Sequence, residues 1–360
     1  MVRQNALLVQ AGYSAKVVRS VTSAHAKTTQ AVYNSKWTLF ASFCHDRFLD
    51  AFGATSAQVA EFLHWLFHER QLSTRTIQGY RSAIAAQLKA ATGYDPGTDP
   101  VLTRLLRSFQ LERPFPVKTV VKWDVSLVLD YLKHGRLQHT TMLTPRDLTL
   151  KTVFLLALAT GKRRGELHAL SPDLHKVNDT WDAISLRPRL DFLGKTHFRT
   201  QGRGTFKDVT IPALPNEEGT LAGVQALCPV HALRVYKQVS DKYRSANQKR
   251  LIISFIQSRS ADISAQSISN YLKWLVQDAY AASADTPALC QKYQMTPHDV
   301  RGVATSLKAC SKTTMAELMQ AGTWSSMDTF LKFYVKEFTC NDLTKLYELG
   351  PFVSAGSQFG

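Results

Sequence analysis

The sequence predicts a mainly α-helical chain with a small β-sheet confined to its C-terminal domain, an α+β arrangement in two parts. Three observations predict it. The 360 residues exceed what one domain usually holds. Apolar residues over positions 28–113 recur at three- and four-residue spacing. Beyond Val120 that spacing is interrupted by short β-like runs around a Gly-rich, basic loop before the helical pattern resumes.

Residues 1–27 read as a basic arm or small helix. The first acidic residue is Asp46, and Arg3, Lys16, Arg19, Lys27 and Lys36 precede it, a pattern that a mitochondrial transit peptide shares. Within 28–113, Ser56 is placed to cap a helix whose Val59, Phe62, Leu63, Leu66 and Phe67 fall on one face. Ser73 or Thr74 caps the next, in which Ile77, Tyr80, Ile84 and Leu88 form the inward stripe while Arg75, Gln78, Arg81 and Lys89 point away. Gly93, Asp95-Pro96-Gly97 and Asp99-Pro100 end that helix ahead of a last one over 101–111.

Arg113-Pro114-Phe115-Pro116 reads as extended, because each proline lacks an amide donor and biases its predecessor away from helix, so 114–120 is the expected linker. In the second domain, 121–340, helices are expected over 125–132 and 152–160, then strands over 183–190 and 209–212. Further helices follow over 229–243, 267–282, 297–310, 315–320 and 326–335, leaving 341–360 as a tail.

The chain carries 44 Lys+Arg against 28 Asp+Glu, a net of +16, which points to a polyanionic partner, nucleic acid first. The excess is shared: the first 116 residues hold 13 basic and 7 acidic side chains, net +6, leaving +10 for the rest. Five cysteines, Cys44, Cys228, Cys290, Cys310 and Cys340, are odd in number, far apart and without a C-x-x-C pair. They indicate neither a disulfide framework nor a zinc knuckle, and a reducing compartment is expected. No stretch approaches the ~18 to 20 apolar residues a membrane span needs.

Three short segments carry chemistry. In Thr296-Pro297-His298-Asp299-Val300-Arg301, a cap residue, a first-turn proline and a first-turn acid mark a helix start. His298 and Arg301 then share one face beside outward-pointing amides, a phosphate-sized setting. In Ala159-Thr160-Gly161-Lys162-Arg163-Arg164-Gly165-Glu166-Leu167, Gly161 turns the chain after an apolar helix and sets two arginines at the seam of two helices. Glu166 lies three residues after Arg163 and can orient it. In the third, Trp324 stands ten residues before Tyr334, the sole tyrosine of its helix.

Together these segments, in this order, resemble the catalytic domain of the tyrosine recombinases, the integrase-like site-specific DNA recombinases. Residues 28–113 look like that family's helical core-binding domain. Trp324-Ser325-Ser326 through Phe330 and Tyr334, with Phe192-Leu193-Gly194-Lys195 and Leu227-Cys228-Pro229-Val230-His231-Ala232-Leu233, look most like eukaryotic mobile-element recombinases of the DIRS, Ngaro and Crypton kinds.

The resemblance implies that Arg163 and Arg301 grip one scissile phosphate, that Tyr334 attacks it, and that His298 and Trp324 serve as further donors, His298 also as proton carrier. A lysine between the first two segments would protonate the departing 5′ hydroxyl. Lys195 and Lys207 both fit, and the length of the loop between them leaves the register open. Glu166 supports Arg163. No metal and no high-energy cofactor is implied, because arginines supply the charge and bond energy is conserved in the covalent link.

The implied partner is double-stranded DNA, contacted by Arg75, Arg81 and Lys89, with a homotetramer on DNA and no membrane. Leu343, Leu346 and Leu349 either dock on a neighbouring protomer or pack within their own. The eukaryotic likeness implies the nucleus, and otherwise the cytoplasm or nucleoid. Two features depart from simpler bacterial members: the aromatic partner lies ten rather than nine residues before the tyrosine, and Lys162 and Arg164 flank Arg163 where apolar side chains are usual. A type IB topoisomerase and a non-catalytic DNA-binding descendant share enough of these features to stand as alternatives.

Overall fold

The computed structural model describes residues 9, 12–22, 27–114, 124–176, 180–192, 208–214, 225–255, 261–283 and 297–310. The chain folds as two compact units, Met1–Lys118 and Thr119–Gly360. The described part is mainly helical, with one three-stranded sheet in the second unit.

The first unit contains helices α1 (Ala15–Thr22), α2 (Lys27–His45), α3 (Ser56–His68), α4 (Thr74–Thr92) and α5 (Pro100–Glu112). Its core is aromatic. Phe62 meets Phe40 and Phe43 edge-on at ring-centroid distances of 5.0 and 5.1 Å, and Phe67 stacks on Phe109 at 4.2 Å. Ser73 caps α4, and Gly93 ends it in the left-handed region at φ +78°, a conformation costly for any residue with a Cβ.

The cap of α3 differs from expectation. Thr55 takes that place, because Gln58 three residues later closes a capping box: the Gln58 amide donates to Thr55 Oγ1, and the Thr55 amide to Gln58 Oε1 at 2.8 Å. Ser56 instead donates to Asp99 Oδ2 at 2.6 Å, tying α3 to the start of α5. Asp99 also accepts from the Tyr94 hydroxyl and the amides of Val101 and Leu102. Burial pushes this carboxyl upward, but those hydrogen bonds outweigh it and hold its pKa at about 2.

The second unit is arranged around one helix. It comprises α6 (Val125–His134), α7 (Pro145–Thr160), α8 (Arg164–His168), β1 (Leu170–Lys176), β2 (Ala183–Pro188), β3 (Val209–Pro212), α9 (Pro229–Tyr243), α10 (Ala265–Ala282) and α11 (Pro297–Cys310). Every residue of α7 from Leu148 to Thr160 is buried, because α9, α10 and α11 all pack on it. The burial includes Lys151, whose ammonium donates to the carbonyls of Leu137 and Gln138 at 2.6 and 3.2 Å. Desolvation pulls this lysine's pKa down to about 8.

Helix α7 begins seven residues before the expected 152, since Thr144 accepts from the Asp147 amide and Pro145 occupies the first position. Helix α10 likewise starts at Ala265, capped by Ser264, rather than at 267. Strand β2 ends at Pro188, two residues short of expectation. The sheet runs β1-β2-β3, antiparallel throughout, with Ile184 opposite Ile211 in the β2-β3 pair. Ile184, Leu186 and Ile211 supply its buried face.

Strand β1 carries no sequence signal. Its register with β2 shifts between Leu170 and Leu174, where Pro172 and Asp173 interrupt any alternation. Proline, without an amide to donate, is tolerated in an edge strand and at a bulge, and β1 is both. The expected helices over 315–320 and 326–335 lie outside the described residues.

Candidate functional site

The end of α7 determines where the basic segment goes. Gly161 adopts φ +56°, and the Thr160 hydroxyl accepts from the Lys162 amide at 3.3 Å while donating back to the Leu156 carbonyl. The chain therefore leaves the helix in a defined direction. Arg163 follows in extended backbone as the cap residue of α8, one turn long.

Glu166, in that turn, gathers the cluster. Its Oε2 accepts from the Arg163 amide at 2.9 Å, and its Oε1 accepts from Arg163 Nη1 at 2.8 Å. Arg301, from the second turn of α11 and 135 residues away in sequence from Glu166, brings Nη1 to within 3.5 Å of Oε2. One carboxylate thus holds two guanidinium groups side by side. Arg301 is 1% exposed, and the side chains of Glu166 and Arg163 are 5% and 18% exposed.

Arg164 takes no part in this cluster. Its guanidinium donates to Gln266 Oε1 at 2.9 Å and Ser269 Oγ at 3.2 Å, anchoring α8 to α10. Of the two adjacent arginines, the structure therefore pairs Arg163 with Glu166. Thr305, one turn beyond Arg301, donates to the Arg301 carbonyl at 2.7 Å, within a helix whose Val300, Val303 and Ala304 are buried.

A third cation is buried here that sequence reading did not select. Lys162 is 7% exposed. Burial lowers the pKa of its ammonium, the Glu166 carboxylate opposes that, and Arg301 and Arg163 lower it further, to about 8. The one available signal was the lysine beside Arg163, a position where the resemblance to simpler bacterial recombinases implies an apolar side chain.

The cluster thus sets three buried or half-buried cations against one carboxylate. Ion pairs taken out of water usually return less than their desolvation costs, so this arrangement is poorly explained as a device for stability. Among the described residues the cations outnumber the carboxylate, and two guanidiniums held together, with Arg163 partly exposed, suit a small anion.

The other expected site residues are spread differently. His298 lies in the first turn of α11, and its side chain is outside what the structure describes. Lys195, Lys207, Trp324 and Tyr334 are all outside the described residues. On α4, Arg75 and Lys89 are exposed and Arg81 is half-buried, opposite the stripe of Ile77, Ile84 and Leu88. Lys89 pairs with Asp95 at 2.9 Å and Arg81 donates to Thr103 Oγ1 at 3.1 Å, so both are partly engaged within the unit. Among the described residues no group of three His, Cys, Asp or Glu side chains could hold a metal ion, and no helix is long and apolar enough to cross a membrane.

No protein-family model matches the chain, and no curated protein matches it. Solved structures do. In fold, the chain is similar to a transposon integrase. The Tn1549 integrase in complex with transposon right end DNA aligns at a TM-score of 0.54 and 16% identity, over 90% of this chain and 94% of that one. A lambda integrase tetramer bound to a Holliday junction aligns at 0.47 and 14%, over 94% and 78%. The XerA recombinase aligns at 0.38 and 16%, over 94% and 93%. The likeness to the Tn1549 protein is one of fold: a mainly helical chain with a small antiparallel sheet.

Proposed function

We propose that this chain is a site-specific DNA recombinase that breaks and rejoins strands through a 3′-phosphotyrosyl link to Tyr334. The observation that carries the reading is the seating of Arg163 and Arg301 on one carboxylate. Two guanidiniums fixed side by side match the two non-bridging oxygens of one phosphodiester. They would neutralise the charge that builds as the phosphorus becomes five-coordinate.

The same charge bears on the nucleophile. A tyrosine hydroxyl titrates near ~10, so presenting it as phenolate at neutral pH costs roughly 4 kcal/mol unless cations offset it. In the proposed reaction the Tyr334 oxygen bonds to phosphorus and the bond from phosphorus to the 5′ oxygen breaks. Lys195 or Lys207 gives that oxygen a proton, and His298 carries the tyrosine's proton away. A 5′ hydroxyl of another strand then attacks the phosphotyrosyl link, restoring a phosphodiester and the free tyrosine. Trp324 would donate its indole N–H to the phosphate or wall the site.

The DNA is double-stranded and is contacted by Arg75, Arg81 and Lys89 in the core-binding domain, 28–113, with chemistry in 121–340. The similarity of fold to a transposon integrase supports a role in integrating or excising a mobile element, of the DIRS, Ngaro or Crypton kind by its motifs. On DNA the protein would form a tetramer, with residues 341–360 exchanged between protomers, working in the nucleus.

The test is a nicked duplex that traps the covalent intermediate. Wild-type protein should form an adduct that survives denaturation and maps to Tyr334. Tyr334→Phe should bind the duplex normally and form none. An adduct made by that variant overturns the assignment, and relaxation of supercoils by monomeric protein without strand exchange would favour a topoisomerase.

A further inference from the structure

A helix of one turn does not hold itself. Its nucleus fixes several dihedrals for very few hydrogen bonds, so the geometry of α8 is imposed from outside the segment. That matters because α8 carries Glu166, and Glu166 sets Arg163 beside Arg301. The contacts of Glu166 fix the members of the cluster relative to one another. Leu167 is buried and holds the turn against the core, but apolar contact is non-directional and leaves the turn free to roll. Directional contacts come from its two ends. At the start, Arg164 Nη1 donates to Gln266 Oε1 at 2.9 Å and to Ser269 Oγ at 3.2 Å, both near the start of α10. At the end, His168 Nε2 donates to the Ile263 carbonyl at 2.7 Å, and the His168 carbonyl accepts from Arg250 Nη1 at 3.1 Å. Ile263 directly precedes Ser264, the cap of α10. Both ends of the turn are therefore referred to one place, the start of α10, which holds no member of the cluster.

We propose that Arg164 and His168 are positioning residues of the Arg163–Arg301 phosphate site, acting through Glu166 by clamping α8 to the start of α10. This rests on the reading of the cluster as a phosphate site. Released from either clamp, the turn rolls about Leu167 and carries the Glu166 carboxylate with it. The contact most exposed to such a roll is the one from Arg301, which comes from another helix and at 3.5 Å is the longest of the three that Glu166 makes in the cluster. Its loss leaves the two guanidiniums no longer set side by side, and a misplacement of about 1 Å can cost on the order of a hundredfold in rate.

The experiment compares wild-type protein with Arg164→Met and His168→Leu, which delete the donors, and with Arg164→Lys and His168→Gln, which each keep one. Duplex affinity and the rate of adduct formation on nicked duplex at saturating protein are measured below the melting temperature of every variant. Arg164→Met and His168→Leu should each be slower by roughly tenfold, with affinity within about twofold of wild type. The conservative variants should regain most of the rate. The measurement is then repeated on a duplex whose scissile phosphate is replaced by a methylphosphonate, which carries no negative charge. Misplaced guanidiniums matter less there, so both deficits should shrink. Deficits of equal size on the two substrates, a wild-type rate in either variant lacking the donor, or a loss confined to affinity would overturn the proposal.

Should wild type form no adduct on any duplex, the recombinase reading fails by itself, and the proposal is decided by inorganic sulfate. The rise in melting temperature is read against chloride at matched ionic strength, and the part of it missing from Arg163→Gln is the part that belongs to the cluster. Arg164→Met and His168→Leu should lose that part, while Arg164→Lys and His168→Gln keep it. Its absence from wild type, or its retention in either variant lacking the donor, overturns the proposal.

Discussion

Among the described residues, the core of the first unit is built from Trp37, Phe40, Phe43, Phe62, Phe67 and Phe109 with aliphatic neighbours, and its two buried polar side chains, Thr74 and Gln87, are neutral. The second unit buries Lys151, Lys162, Glu166 and Arg301. Rings that pack edge-on and stacked gain stability from every contact, whereas each buried charge must recover a desolvation cost. Among the described residues, fully buried charge is thus a feature of the second unit. The two lysines also differ from one another. Lys151 has its ammonium met by two carbonyls and straps the turn at Leu137–Gln138 to α7, while Lys162 faces charges.

The sharpest way to break this comparison is to remove one charge from the cluster. Glu166→Ala leaves Arg301 buried without its carboxylate and should cost about 3–5 kcal/mol in urea denaturation. A loss below about 1 kcal/mol would mean that the three side chains are energetically separate. Phe62→Ala should cost a similar 3–5 kcal/mol by opening a cavity between Phe40 and Phe43, but with no change in the pH dependence of stability. If that variant altered the pH profile, the aromatic core would be coupled to a titrating group of the first unit such as Asp99.

A smaller effect separates the buried lysines from the aromatic core. In Lys151 the folded pKa lies below the ordinary lysine value, so between about pH 8 and pH 10 the unfolded chain binds more protons. Stability should therefore rise with pH in that window, by about 1–2 kcal/mol from pH 8 to 9.5. Lys162 adds in the same direction. Lys151→Met should reduce the rise in denaturation experiments at the two pH values, and an unchanged slope would show that Lys151 keeps an ordinary lysine pKa in the folded state.

The smallest effect on stability is expected on the polar face of α4. Replacing Arg75 and Arg81 by Gln should leave unfolding within about 0.5 kcal/mol. It should reduce the salt dependence of duplex binding by about two units of the log–log slope. An unaltered slope removes both from the DNA contact surface.

Much of the fold could be read locally. Helices α9 and α11 have their observed limits in the sequence, and the breaks at Gly93 and Gly161 were visible, because caps, first-turn prolines and left-handed glycines act within a few residues. The cap at Thr55 was missed although the signal, Gln58, was three residues away. Strand β1 could not be found, since its pairing with β2 and not its own alternation makes it a strand.

The site divides along the same line. The spacing of Arg163 and Glu166 was enough to suggest their pairing, because three residues at a helix start bring a side chain back to the preceding backbone. That Arg163 and Arg301 lie near one another was implied only by a resemblance, and that Arg301 reaches the same Glu166 carboxylate was not anticipated; the packing of α11 and α8 with α7 decides it. The burial of Lys162 and Lys151 was equally beyond the sequence. A lysine's neighbours in the chain do not determine the dielectric around its ammonium, which depends on what distant helices exclude water from it.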